Sequence, residues 1–163
     1  MAIANLERPW GLVGDLKVKK LEKSFGFSFP KDYSEFLAKQ NGGGLVPEHY
    51  CFMMFSGKQM RAGVHILYGI DAEFWGDINE KLETFHRHER RMPEFLLPIG
   101  CDSGGNQICV ILDKNRFGEV VHWNMESEIE YDKEKKKWLK DPMSNCHFIA
   151  SSFSEFLTML KSD

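Results

Sequence analysis

The sequence predicts an α+β domain, a mixed and largely antiparallel sheet flanked by about four helices. Three observations carry this. Apolar residues at helical spacing mark both ends of the chain, short aromatic and β-branched runs fill its middle, and no internal repeat, low-complexity linker or shift in composition divides its 163 residues. One domain over residues 1–163 is expected, with its core at about 16–160. A chain of this length can bury roughly two-thirds of the surface it exposes when unfolded. An apolar content of 42% supports such a core and argues against disorder.

In DLKVKKLEKSF, Val18, Leu21 and Phe25 recur at steps of three and four, giving an amphipathic helix with lysines on its wet side that Gly26 ends. In FPKDYSEFLAKQNGGG, Pro30 takes the favoured first helical position, Tyr33, Phe36, Leu37 and Gln40 share one face, and Gly42 to Gly44 stop the helix. YCFMMFS and VHILYGI then read as two strands joined by SGKQMRAG. Trp75, Ile78, Leu82 and Phe85 keep near-helical spacing through a third helix, with Asp77 and Glu80 placed to cap it and Pro93 closing it. Arginines at its far end suit the helix dipole.

FLLPIG, QICVILD and GEVVHWN form the centre of the sheet, because the middle run is apolar at nearly every position, as in a strand buried on both faces. DKNRFG turns the chain between the last two. In MESEIEYDKE, the acids Glu126, Glu128, Glu130, Asp132 and Glu134 fall at every second position, so a strand would collect them on one face with Ile129 and Tyr131 opposite. If IEYDKEKKKWL is instead a hairpin, Lys135 to Lys137 return beside the glutamates and neutralise them, each pair contributing ~0.2–1 kcal/mol. The last helix opens on the capping box Ser152 to Glu155, and Phe153, Phe156, Leu157 and Leu160 give it one apolar face.

The motif Asp102-Ser103-Gly104-Gly105 raises the question of a serine nucleophile. Such a serine needs a histidine to take its proton and a third group to hold that histidine. The upstream histidines sit in PEHYC, GVHIL and FHRHER, none in the Ala-Ala-His-Cys setting of chymotrypsin-like proteases. The simpler reading makes CDSGGN a turn between two strands, with Asp102 and Asn106 bonding turn amides and Gly104 and Gly105 free to take positive φ. Metal chemistry finds no better support. His86 and His88 at i, i+2 point to different sides of a helix, and Met92 stands where an H-E-x-x-H zinc pattern needs its second histidine. Cys146-His147 has no partner at metal spacing, so a buried or loop role is expected. The glycines of QNGGGL follow a helix, whereas phosphate loops precede one. No metal, cofactor or catalytic residue is predicted.

A formal charge of −3 argues against nucleic acid as a partner, since that affinity comes mainly from Lys and Arg on phosphates. The N-terminus has no secretory apolar run, and no segment approaches the ~18–20 apolar residues of a membrane span. A cytoplasmic protein is expected. Four cysteines without C-x-x-C spacing then read as free thiols.

The blocks LEKSFGFSFPKDYSEFLAKQNGG, LLPIGCDSGGNQICVIL, GEVVHWN and IASSFSEFL, in that order, resemble the SUKH superfamily, specifically its Smi/Knr cell-wall-regulator-like domain, over about Leu16 to Leu160. The resemblance implies an α+β domain without catalytic activity. Its bacterial members resemble immunity proteins that neutralise toxins, many of them nucleases, and its fungal members are regulatory hubs in cell-wall synthesis. The expectation for this chain is an immunity protein that occludes a toxin with a basic surface; the alternative is an interaction scaffold for envelope or signalling partners. Five acids lie between Asp71 and Glu83 and five between Glu126 and Glu134, which would speed association with such a surface. The predicted contact residues are Tyr68, Asp71, Glu73, Trp75, Asp77, Glu126, Glu128, Glu130 and Tyr131, with Tyr68, Trp75 and Tyr131 as exposed aromatic anchors.

Overall fold

A computed structural model of the protein describes residues 6–7, 9–53, 56–73 and 75–160. Helices α1 (Asp15–Phe25) and α2 (Lys31–Lys39) form as the periodicity predicts. Gly26 ends α1 in the left-handed region and Pro30 precedes α2. Between α2 and the sheet, Asn41 is the less obvious stop. It takes φ 56° and is buried, and its amide accepts from Ile70 N–H at 2.6 Å and donates to Ile70 C=O at 2.8 Å. That pairing draws the end of α2 against residue 70. Beside it, a Cβ on Gly42 would run into the Leu67 and Tyr68 carbonyls, so only glycine fits.

The sheet begins earlier than the sequence suggests. β2 (Gly43–Met53) pairs antiparallel with β3 (Gln59–Leu67), so Gln59 to Gly63, read as part of a connection, belong to a strand. Glycine and charged residues at 57–63 obscure that extension. Met54 and Phe55, the end of the predicted first strand, lie outside the described residues. The sheet order is β1 (Leu6–Glu7), β2, β3, β4 (Leu96–Asp102), β5 (Gln107–Ile111), β6 (Val120–Trp123) and β9 (Cys146–Ala150). Every strand pairing is antiparallel; the parallel element is an isolated bridge between Gly69 and Asp77. Cys146 and His147, expected in a buried or loop position, are buried at the start of β9. Its CHFIA pattern is too short to announce a strand, and pairing with β6 makes it one.

β5 is buried throughout because it separates two cores. Ile108 and Val110 point into the larger one, under α1, α2 and α4 (Phe153–Met159), while Cys109 and Ile111 point into a smaller one with Phe85, Met92, Val121 and Trp123. The smaller core is covered by a π-helical turn, Glu83–His88, which supplies Phe85, while the helix before it, α3 (Ile78–Leu82), buries Ile78 and Leu82 in the larger core. Asp77 caps α3, accepting from Asn79 N–H at 3.2 Å. Trp75, predicted to share the face of Ile78 and Leu82, stands before the helix at φ 51°. The widened turn sets Phe85 over Trp123, ring centroids 5.5 Å apart. At the last helix, Ser152 Oγ accepts from Glu155 N–H at 3.0 Å, while the Glu155 carboxylate reaches back to Ser151 N–H at 2.6 Å.

The register of β2 and β3 breaks between Gly44 and Glu48, and the outer half of the hairpin crosses the sheet. Phe52 therefore stacks on His122 of β6, centroids 4.1 Å apart, although three strands separate β2 from β6 in the sheet order. Among the described residues no helix is long and apolar enough to cross a membrane.

Candidate protein-binding surface

The two acidic segments meet different fates. In the second, the predicted strand does not form. Met125–Ser127 is a 3-10 turn capped by Asn124, whose Oδ1 accepts from Glu126 N–H at 3.0 Å, and only Tyr131–Asp132 (β7) is extended, paired with Lys137–Trp138 (β8). Alternation over two residues cannot align five acids, so there is no acidic stripe. Glu128 instead forms a two-point pair with Arg91, Nε to Oε2 at 3.1 Å and Nη2 to Oε1, and that pair raises the guanidinium's pKa above its ordinary value. The same guanidinium lies over Phe85 and Trp123. Asp132 accepts from the amides of Glu134 and Lys135 and stands opposite Lys137. Tyr131 is half-buried, with Arg90 over its ring and Trp138 edge-on at 5.2 Å. The chain returns as the hairpin alternative expects, but the lysines meet Asp132 rather than the glutamates, and Glu126 and Glu130 stay exposed.

In the first segment, Tyr68 is 1% exposed, with its hydroxyl donating to Gln107 Oε1 at 2.7 Å. It is a core residue, because it follows β3 directly and its N–H donates to Ile99 C=O of β4 at 2.8 Å with its ring in the larger core, and it cannot be the exposed anchor predicted. Burial pushes its hydroxyl pKa up. Asp77 is the α3 cap. Asp71 is exposed and accepts from Lys17 Nζ at 2.7 Å. Glu73 is exposed, and Trp75 is 61% exposed, stacked on His65 at 5.7 Å and 9°.

The turn at 102–106 is a closed hydrogen-bonded unit. Asp102 Oδ1 accepts from the amides of Gly104 and Asn106 at 2.9 and 3.0 Å, and Oδ2 from Asn106 Nδ2 at 3.0 Å. Gly105 takes φ 87°, while Asn106 Oδ1 leaves the turn to accept from Met125 N–H at 3.0 Å. Ser103 is exposed at its tip.

A cleft of about 220 Å³ that sequence reasoning missed lies beside this turn, lined by Phe52, Arg61, Asp102, Asn106, His122, Glu126 and His147 among others. His122 is buried, its Nδ1 is 3.0 Å from the Tyr50 hydroxyl, and desolvation lowers its pKa to about 4. Desolvation also lowers His147 and His86. His86, read as part of a solvated helix end, is half-buried with Nε2 2.8 Å from Leu96 C=O. The histidines of VVHWN and CHFIA alternate with apolar residues, a signal of half-buried strands; that they meet Phe52 follows only from the crossed hairpin. Among the described residues no group of three or more His, Cys, Asp or Glu is placed to hold a metal ion. Cys101, Cys109 and Cys146 are free, and burial raises each thiol above its ordinary pKa.

The sequence model of the SMI1 / KNR4 family (SUKH-1) matches residues 13–159. A protein of Bacillus subtilis (strain 168) named "SPbeta prophage-derived uncharacterized protein YokK" is 26% identical over 159 residues, an alignment covering 88% of this chain and 72% of that protein.

Proposed function

Because this chain belongs to the SMI1/KNR4 family (SUKH-1), we propose that it is an immunity protein, which binds a cognate toxin and blocks it by contact rather than by chemistry. The observation that carries this reading is the family match, which spans nearly the whole fold from the segment before α1 to the end of α4. Similarity to a prophage-derived protein is in keeping with a function in conflict between bacteria. The turn chemistry supports contact over catalysis: the Asp102 carboxylate is occupied by its own turn.

Among the predicted contact residues, Glu73, Glu126 and Glu130 are exposed and in no ion pair with another described residue. They are the acids left to meet a basic toxin surface, and their attraction acts on the association rate and weakens as salt rises.

Coexpression with a toxin encoded beside it tests the reading. Growth should be restored, the purified pair should elute as one complex, and Ser103→Ala should protect as well as the wild type. Reversal at Glu126→Lys and Glu130→Lys should slow association several-fold at low salt. Arrest that continues despite expression of the folded chain, or protection abolished by Ser103→Ala, would sink it.

A further inference from the structure

Three large apolar side chains stand in solvent along one edge of the molecule. Leu16 is 84% exposed, Leu12 78% and Trp75 61%, the highest values for large hydrophobic residues among those described. Their segments run side by side and are tied at both ends. Trp10 occupies the space beside Gly76, where a Cβ would collide with its ring, and Lys17 bonds Asp71 at 2.7 Å. Val13 and Gly14 N–H both donate to Ala38 C=O, at 3.0 and 3.1 Å, fixing the first segment to α2. Trp75 is held by the His65 stack and by a left-handed backbone that is costly for a bulky residue. Together the three present on the order of 400 Å² of apolar surface, the size at which a patch on a monomer is often functional.

The rim around these residues carries both signs. Asp15 and Glu73 are exposed acids beside Leu16 and Trp75, and Lys19 and Lys20 are exposed one helical turn beyond Leu16. None of the four joins an ion pair with another described residue. A partner surface of one sign would face like charge along half of this rim. A second copy related by a two-fold axis at Leu16, which lies between Asp15 on one side and Lys19 and Lys20 on the other, sets the acids of each molecule against the lysines of the other.

We propose that the Leu12–Leu16–Trp75 edge is a self-association face through which two copies of this chain pair. The patch is smaller than the ~800 Å² per partner of a standard stable interface, so the dimer is weak and forms only at high protein concentration. It does not depend on the toxin reading.

Sedimentation equilibrium of the full chain from about 5 μM to about 1 mM tests it, a span that reaches the concentrations a weak dimer needs. The mass should rise from 18.9 kDa towards twice that value. Leu16→Glu and Trp75→Ala should each weaken association at least tenfold, with unchanged circular dichroism because both side chains lie in solvent. Leu139→Glu, at a side chain 53% exposed on the β7–β8 hairpin, should leave it intact. A wild-type chain of 18.9 kDa at every concentration overturns the proposal, as does association undiminished in Leu16→Glu and Trp75→Ala. A monomeric wild type whose toxin binding is lost in Leu16→Glu also overturns it, and gives this edge to the toxin.

Discussion

Residues 71–77 and 126–134 carry the same kind of signal along the chain, acids beside an aromatic, and the fold treats them differently. The second segment lies against the π-helical turn, whose exit supplies Arg90 and Arg91; Glu128 and Tyr131 are taken up there, 37 and 41 residues along the chain from their partners. The first has Lys17 on Asp71 and Asp77 capping α3, and leaves Glu73 and Trp75 in water. Charge spacing along a sequence shows what a segment offers. Which of those charges stay available depends on partners that arrive from distant positions.

The largest expected effect concerns the base of the second segment, where His122 and His147 line a cleft with Asp102 and Glu126. His122 is neutral when folded, with its pKa lowered to about 4 from 6.5. The unfolded chain therefore binds the extra proton first, and stability is full above about pH 6.5 and falls by up to ~3 kcal/mol as pH drops towards 4. Asp102 works against this shift and His147 with it. Amide exchange should show residues 122–147 losing protection before 71–77, and His122→Gln should flatten the slope of unfolding free energy against pH. Simultaneous loss in both regions would erase the distinction between them.

Next in size, Arg91→Ala leaves the half-buried Glu128 carboxylate without its partner and uncovers Phe85 and Trp123; a cost of about 2 kcal/mol in urea unfolding is expected. The freed carboxylate would make the second segment resemble the first, so faster association with a basic toxin at low salt is the accompanying readout. Trp75→Ala should change stability by less than about 0.5 kcal/mol, since the side chain is mostly in water and its stack on His65 is exposed. A cost above about 1 kcal/mol there would show that Trp75 is structural.

Helices α1, α2 and α4, the three central strands and the Asp102 turn were legible because each is specified locally: apolar spacing, a glycine or proline at a boundary, a capping serine, an unbroken apolar run. β9, the π-helical turn and the full length of β3 were not. β9 is a strand because β6 stands beside it, and the turn widens so that Phe85 meets Trp123 in the second core.

The sequence by itself determined the α+β class and the central buried strands, since these rest on periodicities of two and 3.6 residues that every local window contains, and it pointed to the family through the resemblance of four ordered blocks. Only the tertiary structure decided that Tyr68 is core, that Glu128 and Asp132 are paired while Glu126 and Glu130 stay exposed, that Phe52 stacks on His122, and that Leu12, Leu16 and Trp75 share an edge. Those outcomes depend on pairs far apart along the chain, and a side chain's burial or charge neutralisation is fixed by what packs against it, which spacing alone does not encode.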